Sequence, residues 1–160
     1  MINKLAITLR PTVPEDLDIL FTFQLDKESR YLAAFMPEDS TDKAAYMVKY
    51  TRLLNDSTVN NQTIIFNNKV VGSIARFVLF GNNEITYWID KQFWGKNIAT
   101  AALKKMLMID NCRPVFGRVA FDNVGSQKVL ERCGFVKVAT DKGFASARQT
   151  EIEEYIYKLT

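Results

Sequence analysis

The residues best suited to chemistry lie in one stretch, Tyr87-Trp88-Ile89-Asp90-Lys91-Gln92-Phe93-Trp94-Gly95-Lys96-Asn97-Ile98-Ala99-Thr100. A strand pattern ends there, a turn containing Gly95 follows, and a helical pattern begins near Ile98. The first N–H groups of a helix have no partner within it. They point out of the turn together with the positive end of the helix dipole. Such a turn suits an anion, commonly a diphosphate; it is also the form of an ordinary strand-to-helix connection. Two familiar phosphate loops are excluded. The first glycine of a Walker loop is missing, no Ser or Thr follows Lys96, and G-x-G-x-x-G does not occur.

A second group lies on Asn123–Cys133, a short helical pattern closed by Gly134. Ser126, Val129, Leu130 and Cys133 fall on one stripe at i, i+3, i+4, i+7. A hydroxyl on an inward stripe must find a partner, either its own helix carbonyl four residues back or a reacting group. Asn123 reads as the helix N-cap. Lys128 lies off the stripe, as solvated surface or as a partner for a phosphate. Cys133 reads as a small core residue. Glu84 begins the strand that leads to the turn. The alternation Glu84, Thr86, Trp88, Asp90 sets it on one face with Trp88, as a solvated hairpin carboxylate or as a base. Asp90 reads as a turn residue.

Composition removes other chemistries. The chain has no histidine, so His triads, His proton shuttles and His metal ligands are out. Its two cysteines, Cys112 and Cys133, form no C-x-x-C pair. No metal site is expected. A net charge of +3, without a run of five like charges, is too dilute to indicate nucleic acid or a membrane surface. No apolar stretch nears the ~18 residues of a bilayer span. Met1-Ile2-Asn3-Lys4-Leu5 lacks the apolar core of a signal peptide. The cytoplasm is the expected compartment, with both cysteines reduced.

The elements that must position these residues follow from periodicity. The 160 residues carry no repeats or linkers and read as one domain, 1–160. Residues 5–10 alternate as a strand. Thr12 with Glu15 resembles a capping box for a helix carrying Leu17, Leu20 and Phe21. Asp39-Ser40-Thr41-Asp42 opens a second helix, with Ala44, Met47, Val48 and Leu54 on its apolar side. Thr63–Phe66 and Val70–Phe80 flank Asn67-Asn68 as a tight hairpin. Glu84–Asp90 is the next strand, and a helix runs from Ile98 to about Ile109. Val115–Phe121, Val136–Thr140 and Thr150–Leu159 are strands, the last two joined by a polar loop at Asp141–Arg148. The order β-α-α-β-β-β-α-β-α-β-β predicts an α/β (mixed α+β) fold: a mixed, mostly antiparallel sheet of about seven strands with helices on both faces.

At this point the chain resembles the GNAT family of N-acetyltransferases, in the branch of ribosomal-protein N-terminal acetyltransferases. The likeness rests on two motifs in the family's order and separation. One is the pyrophosphate loop Gln/Arg-x-x-Gly-x-Gly/Ala, which falls on Trp94-Gly95-Lys96-Asn97-Ile98-Ala99. The other is Asn-x-x-Ser…Gly-Phe, here Asn123-Val124-Gly125-Ser126 through Gly134-Phe135. Trp94 replaces the Gln or Arg. Asn97 replaces the first glycine, and Asn is the residue that best tolerates positive φ after glycine.

The resemblance implies acetyl-CoA as co-substrate and direct acetyl transfer to a primary amine of a protein N-terminus or small molecule. It implies coenzyme contacts from Trp88, Ile89, Trp94–Thr100, Asn123 and Lys128. A backbone N–H near Ile89 would bind the thioester oxygen if the strand splays from Val115–Phe121. Glu84 matches the Glu of the branch pattern Glu-Ile-x-Tyr-Trp and would assist deprotonation. Many relatives place a tyrosine seven residues after the Asn; that position is Leu130, which leaves Ser126 to support the leaving thiolate. The Glu28–Ser40 connection, with Tyr31, Phe35 and Met36, would wall the acceptor pocket, and Asp141–Arg148 would cover it. A monomer or homodimer is expected. The reading from another class is a non-catalytic acyl-CoA-binding sensor, suggested by Asn97 and Leu130.

Overall fold

A computed structural model describes residues 6–160. The reading of Met1–Leu5 lies outside the described residues. The strands are β1 (Ile7–Pro11), β2 (Asn60–Phe66), β3 (Lys69–Leu79), β4 (Asn82–Ile89), β5 (Val115–Ala120), β6 (Val136–Ala145) and β7 (Thr150–Leu159). They form one sheet in the order β1-β2-β3-β4-β5-β7-β6. Every neighbouring pair is antiparallel except β4 and β5. The helices are α1 (Leu17–Phe23), α2 (Lys27–Ala33), α3 (Lys43–Leu54), α4 (Ile98–Ile109) and α5 (Val124–Arg132). None of the described helices is long and apolar enough to cross a membrane.

Hydrophobic burial sets the layers. Ile98, Ala102, Leu103 and Met106 of α4 and Leu130 of α5 pack with Ile64, Ile74, Ile85, Val115, Val119 and Tyr157 of the sheet as one core. A smaller cluster on the other face joins Ala34 and Phe35 to Ala120, Ala145 and Ile152. Asn67 and Asn68 both take positive φ, which twists the β2–β3 turn to match its strands.

Four expectations change. The reach-back residue of the first cap is Asp16, not Glu15, because the chain enters α1 through a 3-10 turn at Pro14–Asp16. Asp16 accepts from the Val13 N–H and from both ends of the Arg10 guanidinium. Burial opposes its charge, but these donors and Thr63 hold its pKa below the ordinary value. Second, α2 occupies part of the Glu28–Ser40 connection. It is too short for an apolar period and is started by Asp26, which accepts from the backbone and hydroxyl of Ser29. Third, α3 buries no residue, and Val48 is exposed. It is held by aromatic contact instead, with Tyr46 5.1 Å from Phe21 and 4.3 Å from Tyr50 between ring centroids. Fourth, Asp141–Ala145 belong to β6, paired with Thr150–Glu154. They read as a loop because β6 is an edge strand exposed on both faces, so no apolar alternation marks it.

Candidate active site

The one parallel pair opens into a wedge. β4 and β5 pair at Asn83–Val115, Glu84–Phe116 and Ile85–Gly117, and no further. Beyond Gly117, β5 pairs only with β7. β4 continues against β3, where Asp90 N–H donates to the Val71 carbonyl at 2.8 Å. Antiparallel alternation then turns the N–H groups of Thr86 and Trp88 toward β3 and those of Tyr87 and Ile89 toward the wedge. The splay expected at Trp88–Ile89 is present. Gly72 permits this close course of β4: a Cβ there would lie 2.1 Å from the carbonyl oxygen of Trp88.

The wedge leads to the N-terminus of α4. Asn97 stands at its N-cap with φ 61 and ψ 22, the left-handed region, and its side chain makes no capping hydrogen bond. Gly95 also has positive φ, with open space where a Cβ would stand. The first N–H groups of α4 thus have no side-chain cap from Asn97. Trp94 folds back, and its indole donates to the Ile89 carbonyl at 3.0 Å, which fixes the turn to the strand end. Asp90 is the turn residue expected, accepting from Gln92 N–H. Lys96 and Lys128 are exposed and, among the described residues, lie in no ion pair.

On the α4–α5 side of the wedge, Ser126 does not bond its own helix. Its hydroxyl lies 2.7 Å from the Tyr87 hydroxyl across the splay. Burial pushes the Tyr87 phenol above its ordinary pKa, so it stays protonated. Tyr87 lay inside the motif Glu84–Trp88, but only the fold shows that its side chain meets Ser126. Leu130 fills the tyrosine position as core, 1% exposed. It packs so tightly over Gly117 that a Cβ there would approach within 2.8 Å. Asn123 caps α5 by accepting from Ser126 N–H, and its amide donates to Leu32 at the end of α2.

Glu84 lies on the opposite face from Ser126. It is buried, and its Oε1 accepts from Arg118 Nε at 2.8 Å. Arg118 Nη1 continues to Glu154 at 3.2 Å and Asp141 at 3.6 Å. Arg118 and Glu154 escaped the sequence reading because ordinary alternation within two strands carries no sign of their meeting. Trp88 is on this face too, with its indole donating to Phe23 at the end of α1. The end of α2 is tied to the β6–β7 turn: Ala147 N–H donates to Ala34, the Ser146 hydroxyl to Met36, and Arg148 to Tyr31. Ser126 thus meets Tyr87 beyond the end of β4–β5 pairing, Glu84 stands on the opposite face at the level where the two strands still pair, and the α4 turn follows the open end of β4.

Comparison with known proteins agrees with this geometry. A family model described as an acetyltransferase (GNAT) domain matches residues 6–136. An uncharacterized N-acetyltransferase p20 of Bacillus licheniformis is 24% identical over 166 residues, covering 96% of this chain and 92% of that protein. Two crystal structures share the fold. One is the microcin C7 self-immunity acetyltransferase MccE in complex with acetyl-CoA and AMP, with TM-score 0.78 and 18% identity over 99% of this chain and 93% of that one. The other is the ribosomal-protein-S5-alanine acetyltransferase of Vibrio fischeri, with TM-score 0.76 and 16% identity over 99% and 94%. The ribosomal-protein branch is thus one of several neighbours and does not single out this chain's acceptor. The wedge, the left-handed turn into α4 and the family match together make this chain a member of the GNAT acetyltransferase family, an enzyme that uses acetyl-CoA.

Proposed function

We propose that this chain, as one catalytic domain, moves an acetyl group from acetyl-CoA directly to a primary amine of a protein N-terminus or small molecule. The observation that carries the reading is the β4–β5 wedge opening beside the uncapped start of α4. The turn Trp94–Thr100 holds the diphosphate through backbone N–H groups, assisted by the exposed ammonium groups of Lys96 and Lys128. Asn123 and the β4 edge at Trp88–Ile89 line the pantetheine. The N–H groups of Tyr87 and Ile89 face the place where the thioester oxygen gains charge. Ser126, held by Tyr87, donates to the departing sulfur. Proton removal from the amine draws on the carboxylate group joined by Arg118, in which Glu84 takes part. Phe35 and Met36 wall the acceptor. The family match favours transfer over a non-catalytic acyl-CoA sensor; the left-handed turn at Asn97 would serve coenzyme binding in either.

Acetyl-CoA binds only the folded state, so millimolar acetyl-CoA should raise the melting temperature. No shift would remove the coenzyme site and the function with it. Asn97→Gly should be tolerated and should tighten acetyl-CoA binding. Asn97→Val should cost ~1–2 kcal/mol of stability through left-handed strain and weaken binding, as calorimetric titration would show. Ser126→Ala should lower turnover most for acyl donors with poorly leaving thiols, at all pH values. Tyr87→Phe should give a smaller loss of the same kind, because Ser126 then keeps its hydroxyl without its partner. Equal turnover with all donors in both variants would remove this pair from the reaction.

A further inference from the structure

The two strand carboxylates bound by Arg118 differ in access. Glu84 is 4% exposed in its side chain; its Oε1 is held by Arg118, and its Oε2 is buried with no partner among the described residues. Glu154 on β7 is 17% exposed in its side chain and is engaged by Arg118 Nη1 at Oε1. It stands directly opposite Ala120 of β5 and Asp141 of β6. Residues directly opposite share a face. Ala120 lies beyond Gly117, where pairing with β4 ends, by about 10 Å at strand rise. At that level the wedge is open, and Ala34 and Phe35 pack against Ala120 from the acceptor side.

We propose that Glu154 takes the proton from the acceptor amine, and that Glu84 is a positioning residue that acts by fixing Arg118. This rests on the acetyltransferase reading above. The amine arrives as ammonium. Glu154 takes one proton and passes it to solvent through its exposed edge. The nitrogen lone pair forms the C–N bond, the C–S bond breaks with its electron pair on sulfur, and the sulfur gains a proton from Ser126. The second nitrogen proton, released as the amide forms, returns to the Ser126 oxygen, so the hydroxyl is regenerated and the products are the amide and the free thiol. The charged groups facing Glu154 are Arg118 from β5, Asp141 from β6 and Glu84 from β4. Burial raises its pKa above the ordinary value; Arg118 opposes this, and Asp141 and Glu84 reinforce it. A carboxylate moved toward the working pH is a better base. Its activity is gained as pH rises through that raised pKa.

The test is the pH dependence of kcat/KM with acetyl-CoA and two probe amines, 1,4-diaminobutane and an alanine-initiated peptide. Glu154→Gln should abolish the acidic limb and lose ~10²–10⁴-fold below the amine pKa, with acetyl-CoA affinity unchanged. Glu84→Gln should keep the limb but move it to lower pH, since a like charge is removed and Arg118 is freed for Glu154. Glu154→Asp should restore part of the activity with its limb. Retention of the limb in Glu154→Gln, or its loss only in Glu84→Gln, overturns the proposal. Carboxyl NMR of the wild-type chain reads the same site without turnover. Glu154 should titrate above the ordinary glutamate range and shift down in Glu84→Gln; titration at or below that range overturns the assignment. Absence of acetyl-CoA binding would instead overturn the function on which it rests.

Discussion

Gly72→Ala is expected to reduce turnover by about 10²-fold, the scale set by a 1 Å misplacement of reacting groups. The added Cβ would meet the carbonyl oxygen of Trp88 at 2.1 Å. That oxygen is backbone, so no rotamer relieves the contact. β3 is fixed by β2 on its other side, and β4 can yield only toward β5. Such a shift closes the wedge and displaces the N–H groups of Tyr87 and Ile89. Overpacking of this severity costs about 3 kcal/mol, which lowers the melting temperature by about 10 °C in a chain this long. Gly143→Ala is the control, since its Cβ would meet Phe35 at an ordinary 3.5 Å. Thermal denaturation and single-turnover rates of both variants decide the matter. A Gly72→Ala protein with normal stability and rate would show that β4 is not held where the wedge needs it.

Arg118→Met is expected to cost about 3–5 kcal/mol at neutral pH, the usual penalty for stranding one member of a buried ion pair. Glu84 would keep its burial and lose the guanidinium that pairs it. Glu154 is more open and can take up water. The loss should shrink in acid, because a buried carboxyl left without a cation neutralises by taking up a proton and no charge is stranded. The double variant Glu84→Met/Arg118→Met should recover most of the stability, because an apolar pair of similar volume often replaces a buried ion pair without loss. Chemical denaturation at pH 4 and pH 8 separates these outcomes. An equal loss at both pH values, with no recovery in the double variant, would mean that Arg118 acts through packing alone.

Local patterns made much of the fold legible. The boundaries of Ile98–Ile109 and Thr150–Leu159 agree with α4 and β7; α4 buries one regular face, and β7 packs Tyr157 on one face of the sheet and Ile152 on the other. Asn67-Asn68 announces its hairpin because few residues tolerate positive φ in succession. The exceptions share a cause. α2 is started by a cap and is too short for a period; α3 packs through two tyrosines and not through its aliphatic stripe; β6 is exposed on both faces. In none of them does a buried face coincide with a periodic apolar pattern: α2 and the outer half of β6 lack the pattern, and α3 carries it on an exposed side.

The sequence by itself determined the turn chemistry around Gly95 and Asn97, the cap at Asn123 and the inward placement of Ser126, because these depend on spacing within one element. It also determined that no histidine would do the proton transfer. Only the tertiary structure decided which groups meet. Tyr87 reaches Ser126 across 39 positions, and Glu84 is joined to Arg118 across 34. Arg118 then turns to Glu154 and leaves Glu84 closed to solvent. Those meetings are set by the end of β4–β5 pairing and by the register of β5 on β7, both products of long-range packing. Strand alternation chooses a residue's face, and only assembly of the sheet chooses its neighbours.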